Sequence, residues 1–194
     1  DVLCMYSGIA EWRYNAARGR APAVDERLVR PTLQYYQEVA DGFPKTLAND
    51  GRLTPASVKF IMTAEHERDD RQLKSPHSSG AGHSMTGPLE QVTQRTLVHG
   101  EMAALGAVIV CWADGETEQL VDWMESCRLR YRPGEMGVSK DELLRALAFT
   151  PEFMESRKID TLLAREPIIG PRFESLWRFL QQDWGSGFEL HRLF

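Results

Sequence analysis

Apolar residues recur at three- and four-residue spacing along almost the whole chain, which is the pattern of helices that pack through one face. The most apolar stretch runs from Met102 to Trp112, and Gly115 follows it as a residue that commonly ends helices. We find no segment that alternates polar and apolar residues as a strand does, and no internal repeat. The sequence therefore predicts an all-α fold, a multi-helix bundle of about eight or nine elements.

Capping residues and breakers place the predicted helices. Thr54, which a proline follows, is an N-cap for a helix that reaches about residue 70. Ser139 begins a capping box for a helix that we expect to end at Ala148, with Pro151 starting a separate turn. Further helices are expected at 1–17, 28–48, 99–113, 116–127 and after residue 171.

The composition argues against several classes of function. The net charge of −5 does not suit a nucleic-acid-binding surface, which needs a basic stripe. No apolar run reaches the roughly 18 residues that a membrane helix needs, so no membrane partner is expected. The three cysteines form no CxxC pair, so we expect reduced thiols in a cytoplasmic protein rather than disulfides or a thiolate zinc site.

Two segments are predicted along the chain. Residues 1–184 form one all-helical domain, and a Gly-Ser-Gly break at 185–187 introduces a flexible or docking tail at 185–194. The chain opens at Asp1 within what has the pattern of a folded segment. We therefore expect a further domain to precede Asp1.

Two histidines stand at positions suited to a metal site. His83 lies between a glycine and a serine after a loop-like stretch, and His99 begins the apolar helix. Zinc and iron are bound by imidazole nitrogens together with carboxylate oxygens, and a catalytic site keeps one position open. The residues alone leave the alternatives open, because a loop histidine is often unpaired and His99 could cap the helix or pack against it.

The motifs around these histidines resemble a known enzyme superfamily. HGEMAALG at 99–106 resembles the HGE-x-V-A-x-G signature of dehydroquinate synthases, glycerol dehydrogenases, glycerol-1-phosphate dehydrogenases and iron-containing alcohol dehydrogenases. GHS at 82–84 is similar to the GHT/GHS element of the dehydroquinate synthases. The segment 1–12 resembles the stretch of glycerol-1-phosphate dehydrogenases that runs from an aspartate to a tryptophan, and 157–163 resembles a stretch near the end of these domains.

This resemblance implies a fold, a site and an activity. The chain would be the C-terminal, metal-binding helical domain, with Asp1, His83 and His99 as ligands of zinc or iron. A Rossmann-like N-terminal domain outside this sequence would bind NAD or NADP. The implied activity is that of an NAD(P)-dependent alcohol or polyol dehydrogenase, closest to the glycerol-1-phosphate branch. Its substrate would be a small alcohol or a polyol phosphate, and this chain alone would be inactive.

Departures from the family motifs rank the alternatives. Dehydroquinate synthases carry a glutamate as the first ligand, a lysine three residues later, and a second histidine four residues after the first. Here Asp1, Cys4 and Gly87 hold those positions, so a cyclase is the second interpretation. Gly82 replaces the glutamate that is usual in the glycerol-1-phosphate branch, and a non-catalytic helical interaction module is the third interpretation.

Three further residues are candidates for the surroundings of the metal. Glu101 could orient His99 or favour the N-terminus of the helix through its charge. Lys74 and His77 lie in the loop before His83 and could hold a substrate phosphate. An apolar face that lacks its partner domain would also favour a homo-oligomer.

Overall fold

A computed structural model of the chain describes residues 1–76 and 81–182, and these form an all-α structure without strands. The predicted all-α class is therefore confirmed for that part of the chain. Its nine α-helices are α1 (Tyr6–Ala17), α2 (Glu26–Gly42), α3 (Pro55–Arg71), α4 (Thr86–Thr93), α5 (His99–Asp114), α6 (Glu118–Ser126), α7 (Lys140–Ser156), α8 (Leu162–Arg165) and α9 (Gly170–Leu180). Short 3-10 turns lie at Leu3–Met5, Phe43–Thr46, Ala81–Met85 and Pro133–Met136.

The central helix of the bundle is α5. Every residue from Met102 to Cys111 is buried, so this helix is apolar on all sides rather than along one stripe. It packs against α1, α4, α6 and the Ala81–Met85 turn. Gly115 ends it with a φ of 81°, a left-handed conformation that glycine adopts without steric cost.

Side-chain caps begin two helices where the sequence predicts them. Thr54 Oγ1 accepts a hydrogen bond from the N–H of Ser57 at 3.1 Å, and Ser139 Oγ accepts one from the N–H of Glu142 at 3.2 Å. Ser57 and Glu142 bond back to the cap backbone, which completes both capping boxes. Loss of such a cap typically costs about 0.5–2 kcal/mol. The predicted starts of α3 and α7 are confirmed.

The C-terminal half of α7 corrects the prediction. The helix continues through Pro151 instead of ending at Ala148. Its buried face extends across the proline through Leu147, Thr150 and Met154, and it packs against α4 and α8. Burial of this face outweighs the roughly 3 kcal/mol that a proline costs in a helix interior.

The helix predicted at 28–48 is divided in the structure. Its first part is α2, which begins earlier than predicted, at Glu26. The carboxylate of Asp25, the N-cap, accepts a hydrogen bond from the N–H of Arg27 at 3.0 Å. The helix ends at Gly42, and the 3-10 turn that contains Pro44 follows. Proline has no N–H to donate, so the α-helical bonding pattern is interrupted there.

Two predicted segments lie partly or wholly outside the described residues, namely positions 77–80 of the loop before His83 and the tail at 185–194. The three cysteines, Cys4, Cys111 and Cys127, are buried free thiols, as the sequence predicts. None of the helices in the described ranges is long and apolar enough to cross a membrane.

Candidate metal centre

The three predicted ligands lie together at the surface. Asp1 precedes the Leu3–Met5 turn, His83 lies in the Ala81–Met85 turn, and His99 is the first residue of α5. One donor atom from each residue lies within 4.8 Å of the other two. His83 Nε2 is 2.9 Å from Asp1 Oδ1, and the ring centroids of the two histidines are 5.3 Å apart. Among residues 1–76 and 81–182, no other group of three such side chains comes together.

The donor set and its spacing fit zinc or iron. Tetrahedral coordination at about 2.0–2.1 Å places neighbouring ligand atoms roughly 3.3 Å apart. The distance between Asp1 Oδ1 and His83 Nε2 would have to increase slightly. The distances between the other pairs of donor atoms, which are up to 4.8 Å, would decrease by side-chain rotation. Asp1 and His99 are exposed and His83 is half-buried, so a further coordination position stays accessible.

Two glycines allow the turn that carries His83 to lie directly against α5. A Cβ on Gly106 would overlap the carbonyl oxygen of Gly82, and a Cβ on Gly82 would lie 2.6 Å from the backbone nitrogen of Ala107. A glutamate at position 82, as in the family that the motifs resemble, has no room here. His99 lies about two helical turns before Gly106 on α5, and the close backbone packing at Gly82 lets the ring of His83 approach the ring of His99.

A buried serine connects the Asp1 segment to the same turn. Ser7 Oγ accepts a hydrogen bond from the N–H of Gly82 at 3.0 Å and donates one to the carbonyl oxygen of Cys4 at 2.7 Å. Ser7 is fully buried, and an unpaired N–H in such a place costs about 1–3 kcal/mol. These bonds therefore hold together two segments that lie 75 residues apart in the sequence.

Arg68 of α3 contacts the Asp1 carboxylate on its other oxygen. Its Nη1 lies 3.3 Å from Asp1 Oδ2 and 2.8 Å from Glu65 Oε2. The other oxygen, Oδ1, is thereby directed to His83. Carboxylates that bind metals are commonly oriented by such hydrogen-bonding partners. Arg68 could not be identified from the sequence, because no motif relates α3 to Asp1.

The other predicted site residues are placed differently. Glu101 forms an ion pair with Arg130. It also lies in the first turn of α5, where its charge favours the helix N-terminus. Lys74 is exposed in the segment after α3, and His77 lies outside the described residues. The orienting role of Glu101 and the phosphate-binding role of Lys74 and His77 stay predictions.

Two buried carboxyl groups were not singled out from the sequence. Glu11 of α1 is 3% exposed, accepts a hydrogen bond from the N–H of Leu162, and lies 3.5 Å from the guanidinium of Arg165. Burial raises the pKa of Glu11 to about 7. A signal was available, since Glu11 is the one charged residue within the apolar run from Ile9 to Trp12.

Asp114, the last residue of α5, is the second of these groups. Within the described structure, both of its carboxylate oxygens are buried and lack a hydrogen-bond partner. Burial, together with the charges of Glu11 and Glu116, raises the pKa of Asp114 to about 8. The position at the negative end of the helix dipole also disfavours an ionised carboxylate.

No model of a known protein family matches the chain, and no curated protein matches it. The residues of the site and the resemblance of their motifs are therefore what indicates a function.

Proposed function

We propose that the described helices form the metal-binding part of an NAD(P)-dependent alcohol dehydrogenase, in the superfamily that the motifs resemble. The observation that supports this most strongly is the convergence of Asp1, His83 and His99 from three distant parts of the chain. Two imidazoles and one carboxylate, with an accessible further position, are the donor set of a catalytic rather than a closed structural site.

Each side chain would have its own part in holding the ion. His83 and His99 would offer neutral nitrogens, and Asp1 would offer a negative charge that offsets half of the charge of a divalent cation. Arg68 would keep the Asp1 carboxylate directed to His83 through its contact with Oδ2. When bound, zinc or iron would act as a Lewis acid toward the oxygen of an alcohol.

The other half of the reaction would need a second domain. The alcohol carbon would give a hydride to NAD or NADP, held by a nucleotide-binding domain, and the hydroxyl proton would leave to water. The helical part would supply the alcohol in a fixed position relative to that cofactor.

Two positions argue against a cyclase of the dehydroquinate synthase type. Gly87 stands where that branch carries a second histidine, and a Cβ at Gly87 would overlap the ring of Phe153. Cys4 stands at the lysine position and is 1% exposed within the core. A histidine at position 87 would therefore have to displace the Phe153 ring, and a lysine at position 4 would bury its ammonium group in the core.

Zinc binding by the purified chain tests the proposal. We expect one zinc ion per chain in competition with a chromophoric chelator, and a loss of most of the affinity in His83→Ala and in His99→Ala. His66→Ala is the matched control, because His66 is exposed on α3 outside the candidate centre. Its zinc affinity should equal that of the wild type.

A zinc affinity that is unchanged in both histidine variants would refute the site assignment. The same titration with ferrous iron under anaerobic conditions compares the two candidate metals. Circular dichroism of each variant separates a lost ligand from a lost fold.

A further inference from the structure

An apolar pocket of about 170 Å³ lies beside Asp1. Its walls include Leu3, Phe43 of the turn after α2, and Phe60 and Ile61 of α3. A cavity of about 150 Å³ with such a lining accommodates a six-carbon molecule such as benzene. The pocket therefore has space for an apolar group of about that size.

Asp1 belongs to both this pocket and the candidate metal centre. Among the described residues that line the pocket, Asp1 and Glu65 are the only charged ones. Asp1 Oδ1 is also 2.9 Å from His83 Nε2. His83 and His99 do not line the pocket, so a molecule with its polar end at the metal would extend past Asp1 to reach the apolar walls.

The charges at this place do not suit a phosphate group. Asp1 and Glu65 are both acidic, and the guanidinium of Arg68 already contacts both of them. The described lining contains no lysine or arginine, so a phosphate placed in the pocket would have no cationic side chain of the lining beside it. Transfer of an anion to an apolar environment without a paired cation is strongly unfavourable.

We infer that the substrate of the metal centre is an alcohol with an apolar chain of about six carbons, and that this chain lies in the pocket between α2 and α3. The inference rests on the proposed function, because the metal must hold the hydroxyl end. Of the small alcohol and the polyol phosphate that the motif resemblance implies, it selects the alcohol and gives it an aliphatic chain.

Straight-chain hydroxamates provide the test, since the hydroxamate group binds zinc and the length of the chain can be varied by itself. The zinc-loaded protein is titrated by calorimetry with the series from acetohydroxamate to decanohydroxamate. Each buried methylene contributes about 0.8 kcal/mol, so we expect Kd to fall about four-fold per methylene. The fall should level off when the chain reaches about six carbons.

Variants of α3 test whether the alkyl chain of the hydroxamate lies in the pocket. Ala64→Leu fills part of the pocket, and Ile61→Asn makes one wall polar at a position that is 39% exposed and so tolerates the change. Both should reduce the effect of chain length on Kd while zinc affinity stays unchanged. Val58→Asn is the matched control, because Val58 is a 48% exposed residue of the same helix outside the pocket lining.

The outcomes separate the inference from the proposed function. If zinc does not bind, both fall together. If zinc and acetohydroxamate bind but Kd does not change with chain length, the inference is overturned and the metal centre stands. An equal effect of chain length in the zinc-free protein would also overturn the inference, because the chain would then bind without the metal.

Discussion

Replacement of Asp114 by asparagine should stabilise the protein at neutral pH and remove part of its pH dependence. The pKa of this carboxyl group rises from 3.8, its ordinary value, to about 8 in the fold because of burial and the nearby charges of Glu11 and Glu116. The pKa of Asp114 is higher in the folded state than in the unfolded state. The contribution of protonated Asp114 to the free energy of unfolding is therefore fully present below about pH 4 and is lost as the pH rises toward about 8.

The size of the effect follows from the same two values. At pH 7 the unfolded chain carries an ionised Asp114, and folding must add a proton to it. Each pH unit between the unfolded-state pKa and pH 7 adds about 1.36 kcal/mol, so over roughly three units this protonation costs about 4 kcal/mol. Asparagine has a similar shape and is neutral at every pH. The Asp114→Asn variant should therefore gain up to about 4 kcal/mol at pH 7 and almost nothing at pH 4.

Urea unfolding, followed by tryptophan fluorescence between pH 4 and pH 8, measures both effects. The slope of the unfolding free energy against pH should be less negative in Asp114→Asn by up to about 1.4 kcal/mol per pH unit. Asp70→Asn, at an exposed position of α3, is the control and should follow the wild type. Parallel curves for wild type and Asp114→Asn would show that Asp114 is charged in the fold, and the reasoning would be wrong.

Three further predictions concern how the site is held in place and whether it depends on the core. Gly106→Ala should destabilise the protein by about 1–3 kcal/mol in urea unfolding, because its methyl group would overlap the carbonyl oxygen of Gly82. Gly100→Ala is the control and should be neutral or slightly stabilising, because there is open space around the new Cβ. Ser7→Ala should cost about 1–3 kcal/mol and weaken zinc binding in the competition assay; wild-type zinc affinity would contradict its positioning role. Leu105→Ala, fully buried in α5, should cost about 2–5 kcal/mol by urea unfolding. It should leave the zinc affinity of the folded protein unchanged, and a change there would show that the core and the site are coupled.

The fold could be predicted where the signals are local. Thr54, Ser139 and Gly115 act within one helical turn, and the structure has a cap or an end at each of them. The end of α7 could not be predicted in this way. Pro151 has a local tendency to break a helix, but the burial of Met154 beyond it depends on packing against other elements.

Of the candidate site, only the three candidate ligands could be predicted from the sequence. The motifs named Asp1, His83 and His99, and the structure brings these side chains together, whereas metal binding itself stays a prediction. Ser7 and Arg68 were not predictable, because neither lies in a motif and their partners are reached only through tertiary packing. The sequence spacing carried no information about these contacts.

If the proposed metal binds, the distribution of its three candidate ligands along the chain would couple metal binding to folding. The donor atoms meet when the Leu3–Met5 turn, the Ala81–Met85 turn and α5 have packed together, so the unfolded chain offers no comparable site. A ligand that binds only the folded state stabilises it by about 2.7 kcal/mol at a hundred-fold excess over Kd. The concentration of free metal in the surroundings would thus govern the midpoint of thermal unfolding, and the amount of chain that persists in folded form would follow the metal supply.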